Sequence, residues 1–250
     1  MRSNTWRAPL RRFLASTLFF GGTFDTVQVT EPLIALSFDD GPDRTTTPLI
    51  LSVLRERGAH ATFFVAGEAA AKARDVIDMI LSDGHEIAIH GWSHSARRRS
   101  GWRDFFRERR EIRRTAAVLK PVTCEFYRPP YGHEGRGTRL AARLEGLTVA
   151  GWSASGHDWQ SDDATTILER VHPKLRPGAI VLLHDGLLNA RCASDFDRGP
   201  TVEALKMLLD QPGPWTFVSV GELVRAGTPQ RRIHRWRAPE TLPPLVPADV

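Results

Sequence analysis

The sequence predicts an α/β protein in which helices wrap a parallel sheet. Seven short β-rich runs alternate with longer stretches of helical spacing. The runs are also almost continuously apolar, as strands covered on both faces are. LIALSF (33–38) opens the series and is followed by TTPLILSVLRERG (46–58), whose Gly58 stands where a helix ends in a left-handed residue. HATFFVAG (60–67) leads to a helical stretch over 68–84 that ends on Gly84, and EIAIH (86–90) leads to an Arg-rich segment at 102–119. TCEFYR (123–128), LTVAGW (147–152), GAIVLLHD (178–185) and WTFVSV (215–220) complete the strands, separated by helical spacing at 134–145, 162–173 and 200–210. A barrel and an open doubly wound sheet both satisfy this alternation.

The chain has 250 residues, enough for one domain with a sizeable core, and a formal charge of +5. That charge sits at the ends. Residues 1–30 hold four Arg and one Asp, and residues 226–250 hold four Arg, one Glu and one Asp, so the body between them is neutral. A neutral body argues against a nucleic-acid protein. In the Arg-rich segment Trp102, Phe105, Phe106, Ile112, Ala116 and Leu119 form the apolar stripe of a surface helix. Its arginines read as a solvated face, the alternative being a rim that attracts anionic glycan or membrane. Cys124 and Cys192 form neither a metal-binding pair of the CxxC type nor a disulfide framework. FLASTLFFGG has an apolar core of only about 8 residues with no small-residue cleavage site, so a cytoplasmic protein is expected, with export to the periplasm or cell envelope as the alternative. No stretch reaches the roughly 20 apolar residues of a transmembrane helix. Residues 1–30 are expected to be an extension, 31–225 the catalytic domain, and 226–250 a basic Pro-rich tail.

The polar residues fall at one place in the pattern. Asp39 and Asp40 follow the first strand, His90 and His94 the third, Arg128 and Tyr131 the fourth, Asp158 and Trp159 the fifth, and His184 ends the sixth. That edge is where α/β barrels and open sheets build their active sites. On a helical turn His90 and His94 would have Cβ atoms about 5–6 Å apart, within reach of one metal. One carboxylate would complete a three-ligand site. Neighbouring residues leaving a strand point in different directions, so one aspartate can bind metal while the other moves a proton.

SFDDGP (37–42), HGWSH (90–94), RPPYG (128–132), SGHDW (155–159) and LLHDG (182–186), in that order, resemble the five motifs of the polysaccharide deacetylases of carbohydrate esterase family 4, the nodulation-protein-B homology domain. The resemblance implies a distorted (β/α)7 barrel, a divalent metal, usually zinc with Co2+ or Mn2+ possible, and removal of acetyl groups from N-acetylated sugars. It further implies Asp39 as general base, oriented by Arg128, and Asp40, His90 and His94 as metal ligands. His184 is implied as general acid with Asp158 as its partner, the Tyr131 N–H as oxyanion donor, and Pro130, Tyr131, Trp159 and Leu183 as substrate-side residues. The expected partner is an acetylated amino-sugar oligo- or polysaccharide. RPGAIVLLHDG is similar to the single-domain chitooligosaccharide deacetylases.

Three residues depart from the family pattern: Ser37 where Thr is usual, Ser95 where Pro is common, and Ser155 in place of the first acid of D-x-x-D-W. None removes a proposed catalytic group. An O-acetyl esterase of the xylan type and a catalytically silent carbohydrate-binding homologue are the alternatives. Two His and one carboxylate also describe a non-haem iron site, which would leave Asp39 and His184 without a role.

Overall fold

In a computed structural model, which describes residues 22–94, 102–160, 162–190, 193–232 and 246–247, the predicted alternation becomes a curled sheet with helices on its outer face. The chain runs through β1 (Thr23–Gln28), β2 (Leu33–Asp39), α1 (Thr46–Glu56), β3 (Ala61–Val65), α2 (Gly67–Lys72), α3 (Arg74–Ser82), β4 (Glu86–Ile89) and α4 (Trp102–Leu119). It continues through β5 (Phe126–Tyr127), α5 (Arg136–Leu144), β6 (Thr148–Val149), β7 (Ala154–Ser155), α6 (Ala164–Val171), β8 (Ile180–His184), α7 (Gly199–Leu209), β9 (Thr216–Val218), α8 (Val220–Ala226) and β10 (Thr228–Arg232). The N-terminal apolar stretch, Ser95, Cys192 and most of the Pro/Arg tail lie outside the described residues.

The main sheet has the order β6-β5-β4-β3-β2-β8-β7, every neighbouring pair being parallel. β9 pairs with the first half of β2, at Leu33 to Ala35, and β3 takes over that edge from Leu36 onward. Period-two alternation sorts the strand residues into two cores. Leu36, Phe38, Phe63, Val65, Ile87, Ile89, Val181 and Leu183 face the outer helices. Ala35, Phe64, Ala88, Phe126, Ala150 and Ile180 face the inside of the curl, where Phe24 of β1 joins them.

The curl is a barrel with an open seam. Among the described residues β6 and β7 share no ladder, and β1 spans the gap through bridges from Phe24 to Ala150 and from Thr26 to Ala179. β1 pairs antiparallel with β10, so segments on both sides of the 31–225 span pack onto the body; Phe24 and Val27 are fully buried there. Residues 68–84 form two helices instead of one continuous stretch, because Ala73 leaves helical geometry at φ −132° and ψ 51°. HGWSH is a loop and not the helical turn that its spacing predicts. Gly91 at φ 80° and His94 at φ 44° are left-handed, and the loop itself brings the two imidazoles together.

Candidate metal centre and active site

Among the described residues, the four non-glycine residues with left-handed backbone are Asp40, His94, Tyr131 and His157. Each stands in the loop that follows the C-terminal end of a strand: β2, β4, β5 and β7 respectively. Such backbone costs about 1–3 kcal/mol per residue and persists only where its surroundings enforce it. The surroundings are visible at the first of these loops. The Gly41 N–H donates to Asp185 Oδ1 at 3.2 Å, and a Cβ on Gly41 would stand 2.1 Å from Asp185 Oδ2, so only glycine fits. Asp185 also accepts from Thr47 Oγ1 at 2.6 Å, which ties the turn after β2 to α1.

The twist at Asp40 (φ 76°) sends two adjacent carboxylates in different directions. Asp40 Oδ1 lies 3.2 Å from His90 Nε2 and 3.1 Å from His94 Nε2, and ligand atoms of all three lie within 4.8 Å of one another. His90 Nδ1 is 2.9 Å from the carbonyl oxygen of Arg128, which can only accept, so Nδ1 carries a proton and Nε2 is the nitrogen turned to Asp40. Burial pushes His94 down to about 4 against the pull of Asp40. Burial would raise the Asp40 carboxyl, yet His94 and His90 hold it well below the usual carboxylate range. Asp40 Oδ1 is buried and receives no hydrogen bond. A buried carboxylate oxygen with two imidazole Nε2 atoms 3.1–3.2 Å away is a donor set that a divalent cation fits.

Asp39 turns the other way. Its Oδ1 accepts from Arg128 Nη1 at 2.6 Å, and its Oδ2 lies 3.7 Å from His90 Nε2. Arg128 is fully buried inside the curl and is satisfied all round. It donates to Ser37 Oγ at 3.0 Å, to the Ala150 carbonyl at 3.2 Å and to the Gly151 carbonyl at 2.8 Å, with its guanidinium over the Phe64 ring. It thereby bridges β2 to the chain between β6 and β7, where the ladder is missing.

Asp39 and His184 are register partners on adjacent parallel strands, so their side chains leave the sheet on the same face. His184 Nδ1 is 2.9 Å from Asp158 Oδ1, and its backbone N–H donates to Asp158 Oδ2 at 2.8 Å. Burial lowers the proton affinity of His184, but the Asp158 charge and hydrogen bond outweigh it and push it up to about 9. Asp158 is itself held by Thr201 Oγ1 at 3.0 Å, and Arg198 donates to its backbone carbonyl. The result is a buried imidazolium held by a buried carboxylate, beside a carboxylate fixed by arginine.

The sequence profile of the polysaccharide deacetylases matches residues 26–150. A chitooligosaccharide deacetylase of Sinorhizobium fredii is 34% identical over 181 residues, which cover 71% of this chain and 84% of that protein. The chain belongs to the polysaccharide deacetylase family. A peptidoglycan-N-acetylglucosamine deacetylase of Bacillus cereus is 32% identical over 201 residues, covering 78% of this polysaccharide deacetylase and 89% of the relative. The solved peptidoglycan deacetylase PdaC of Bacillus subtilis superposes with a TM-score of 0.65 at 30% identity, covering 80% of this chain and 93% of that one.

The remaining predicted residues of this polysaccharide deacetylase are not equally placed. The Tyr131 ring centroid is 4.3 Å from that of His94, and burial and Asp40 push its phenol up to about 12, so it stays neutral. Pro130 is buried against the left-handed Gly91, where a Cβ would come within 3.3 Å of Pro130 Cγ. Trp159 is half-buried in the loop after β7, near the His157 ring. Ser155, the departure from the family's acid, accepts from the His157 N–H at 3.2 Å and shapes that same loop. Leu183 requires a correction. It pairs with Phe38 in the outer core, while Leu182, paired with Ser37, shares the face of His184. Period two along IVLLH identifies Leu182 directly. Asp185 was equally legible as the acid beside His184 in LLHDG. Thr201 and Arg198 were not, because no local pattern ties them to Asp158 some 40 residues earlier.

Proposed function

We propose that this polysaccharide deacetylase is a metal-dependent hydrolase that removes the acetyl group from N-acetylated amino sugars in an oligo- or polysaccharide. The observation that carries the reading is the pairing of Asp39 with His184 across adjacent strands, next to the Asp40, His90 and His94 set. Asp40, His90 and His94 would hold a divalent ion, zinc by preference with Co2+ or Mn2+ as substitutes, which would polarise the acetyl carbonyl and acidify water. Asp39 takes the proton of the attacking water at Oδ2, while Arg128 fixes its Oδ1. The Tyr131 N–H donates to the oxygen that gains charge as the carbonyl becomes tetrahedral. His184, cationic against Asp158, gives its Nε2 proton to the amine nitrogen as the C–N bond breaks. Leu182 takes the place expected of Leu183 beside the acetyl methyl, with Trp159 as the second wall.

Relatives named for chitooligosaccharide and peptidoglycan favour N-acetylglucosamine units in either polymer, and those named for peptidoglycan favour the exported alternative over the cytoplasm. No helix among the described residues is long and apolar enough to cross a membrane. Acetate release from N-acetylated chitooligosaccharide, with acetylxylan in parallel, tests the reading. Release from the former is expected. Release from acetylxylan alone would assign an O-acetyl esterase, and none from any glycan under any metal would assign a silent homologue.

A further inference from the structure

The arginines of α4 do not form one solvated face. Arg109 and Arg113 turn to α5 and pair with Glu145. Arg107, Arg110 and Arg114, spaced three and four residues apart, line a cavity of about 530 Å³ together with Trp92, Ser93 and Glu111. Glu111 offsets one of these charges, its Oε1 lying 3.3 Å from Arg107 Nε. Among the described residues no carboxylate pairs with Arg110 or Arg114. The Arg114 guanidinium lies 3.5 Å from the Trp92 ring centroid, which fixes its plane and leaves its edge N–H groups for a ligand. Among the described residues the cavity therefore holds an excess of two guanidinium groups in a concave wall.

Its position gives that excess a use. Trp92 and Ser93 belong to the same five-residue loop that carries His90 and His94, so a ligand here sits on the loop that presents the metal ligands. Trp92 is clamped from behind: its carbonyl accepts from the Glu68 N–H at 3.1 Å, and a Cβ on Gly67 would stand 2.4 Å from its ring. Planar guanidinium groups suit a carboxylate or a similar oxyanion better than a neutral hydroxyl. We propose that this cavity is a subsite for an anionic substituent, a carboxylate by preference, carried by the same glycan whose acetyl group is cleaved. The proposal rests on the deacetylase reading and narrows its substrate to acidic glycans. A concave wall on the metal-site loop fits a substituted sugar better than a lipid surface, which calls for a flat or convex basic face.

The test compares an N-acetylated glycan fragment bearing free carboxylates with the same fragment after its carboxylates are converted to amides. The protein is metal-loaded, and the variants are Arg110→Gln, Arg110→Lys and, as a charge-matched control outside the cavity lining and paired with Glu145, Arg113→Gln. The parent should show a lower KM for the acidic fragment. Arg110→Gln should raise that KM about tenfold, the scale of one charged hydrogen bond, with kcat and the amidated fragment unaffected. Arg110→Lys should recover part of the loss, and Arg113→Gln should change nothing. Equal KM for both fragments in the parent, or an equal effect of Arg113→Gln, would overturn the subsite while leaving the deacetylase reading intact. If neither fragment releases acetate, that reading falls, and calorimetric binding of the acidic fragment to parent and Arg110→Gln still decides the subsite: equal affinities refute it. Binding to anionic vesicles that is lost in Arg110→Gln, without any difference between the fragments, would also refute it.

Discussion

Replacing Asp158 by Asn tests the acid half of the site most sharply. In the parent, Asp158 contacts His184 through both carboxylate oxygens, and it outweighs a burial that by itself lowers the proton affinity of the imidazole. The substitution keeps the shape and removes the charge. His184 rises from 6.5 to about 9 in the folded protein. At about 1.4 kcal/mol per pKa unit, the net of burial against Asp158, with Asp40 and Asp39 adding to it, favours the cation by about 3 kcal/mol. A raised histidine contributes stability that is complete below its unfolded value and disappears as pH rises through its folded value. The window for His184 therefore runs from about 6.5 to about 9. Thermal unfolding of parent and variant should differ most below pH 6.5 and converge above pH 9. The alkaline limb of kcat/KM should move down by about 2 pH units or more, because His184 without its carboxylate loses its proton near or below neutrality. An alkaline limb at the same pH in both proteins would refute the claim that His184 supplies the proton under the control of Asp158.

Arg128→Lys should lower kcat at least tenfold and destabilise the fold by about 3 kcal/mol, since one ammonium replaces four donor contacts around a buried carboxylate; paired turnover and urea unfolding measurements check both. Leu183→Ala should cost about 2–5 kcal/mol of stability with KM retained, as expected of an outer-core side chain. Leu182→Ala should instead raise turnover of longer N-acyl groups relative to acetyl, and an unchanged acyl preference would remove Leu182 from the acetyl pocket. Asp39→Asn should retain the metal and lose acetate release; loss of metal would mean that the two aspartates have exchanged roles.

The candidate site was legible because parallel sheets gather polar residues at their strand ends, where active sites are built. Asp39 and His184 end strands with five others, β3 to β7, between them in sequence, yet parallel pairing sets them side by side. The His90 and His94 pair was read correctly as neighbours but for the wrong local reason. A loop with left-handed Gly91 and His94 joins them, and helical spacing played no part. Leu183 was misplaced because a motif shows which residues occur together, while only the period-two register shows which face each one takes. The arginines of α4 were read as a solvated face, with a rim that attracts anionic glycan or membrane as the alternative. The separate fates of Arg109 and Arg113, on Glu145, and of Arg110 and Arg114, beside Trp92, depend on how α4 docks, which spacing along the helix does not encode.

Metal content measured alongside acetate release, for the parent, Asp40→Ala and the parent stripped by chelation, tests the central claim most directly. The account predicts about one divalent ion per chain in the parent, none in Asp40→Ala, and release that vanishes on chelation and returns with Zn2+. Full turnover by metal-free protein, or a stoichiometric ion retained by Asp40→Ala, would contradict it.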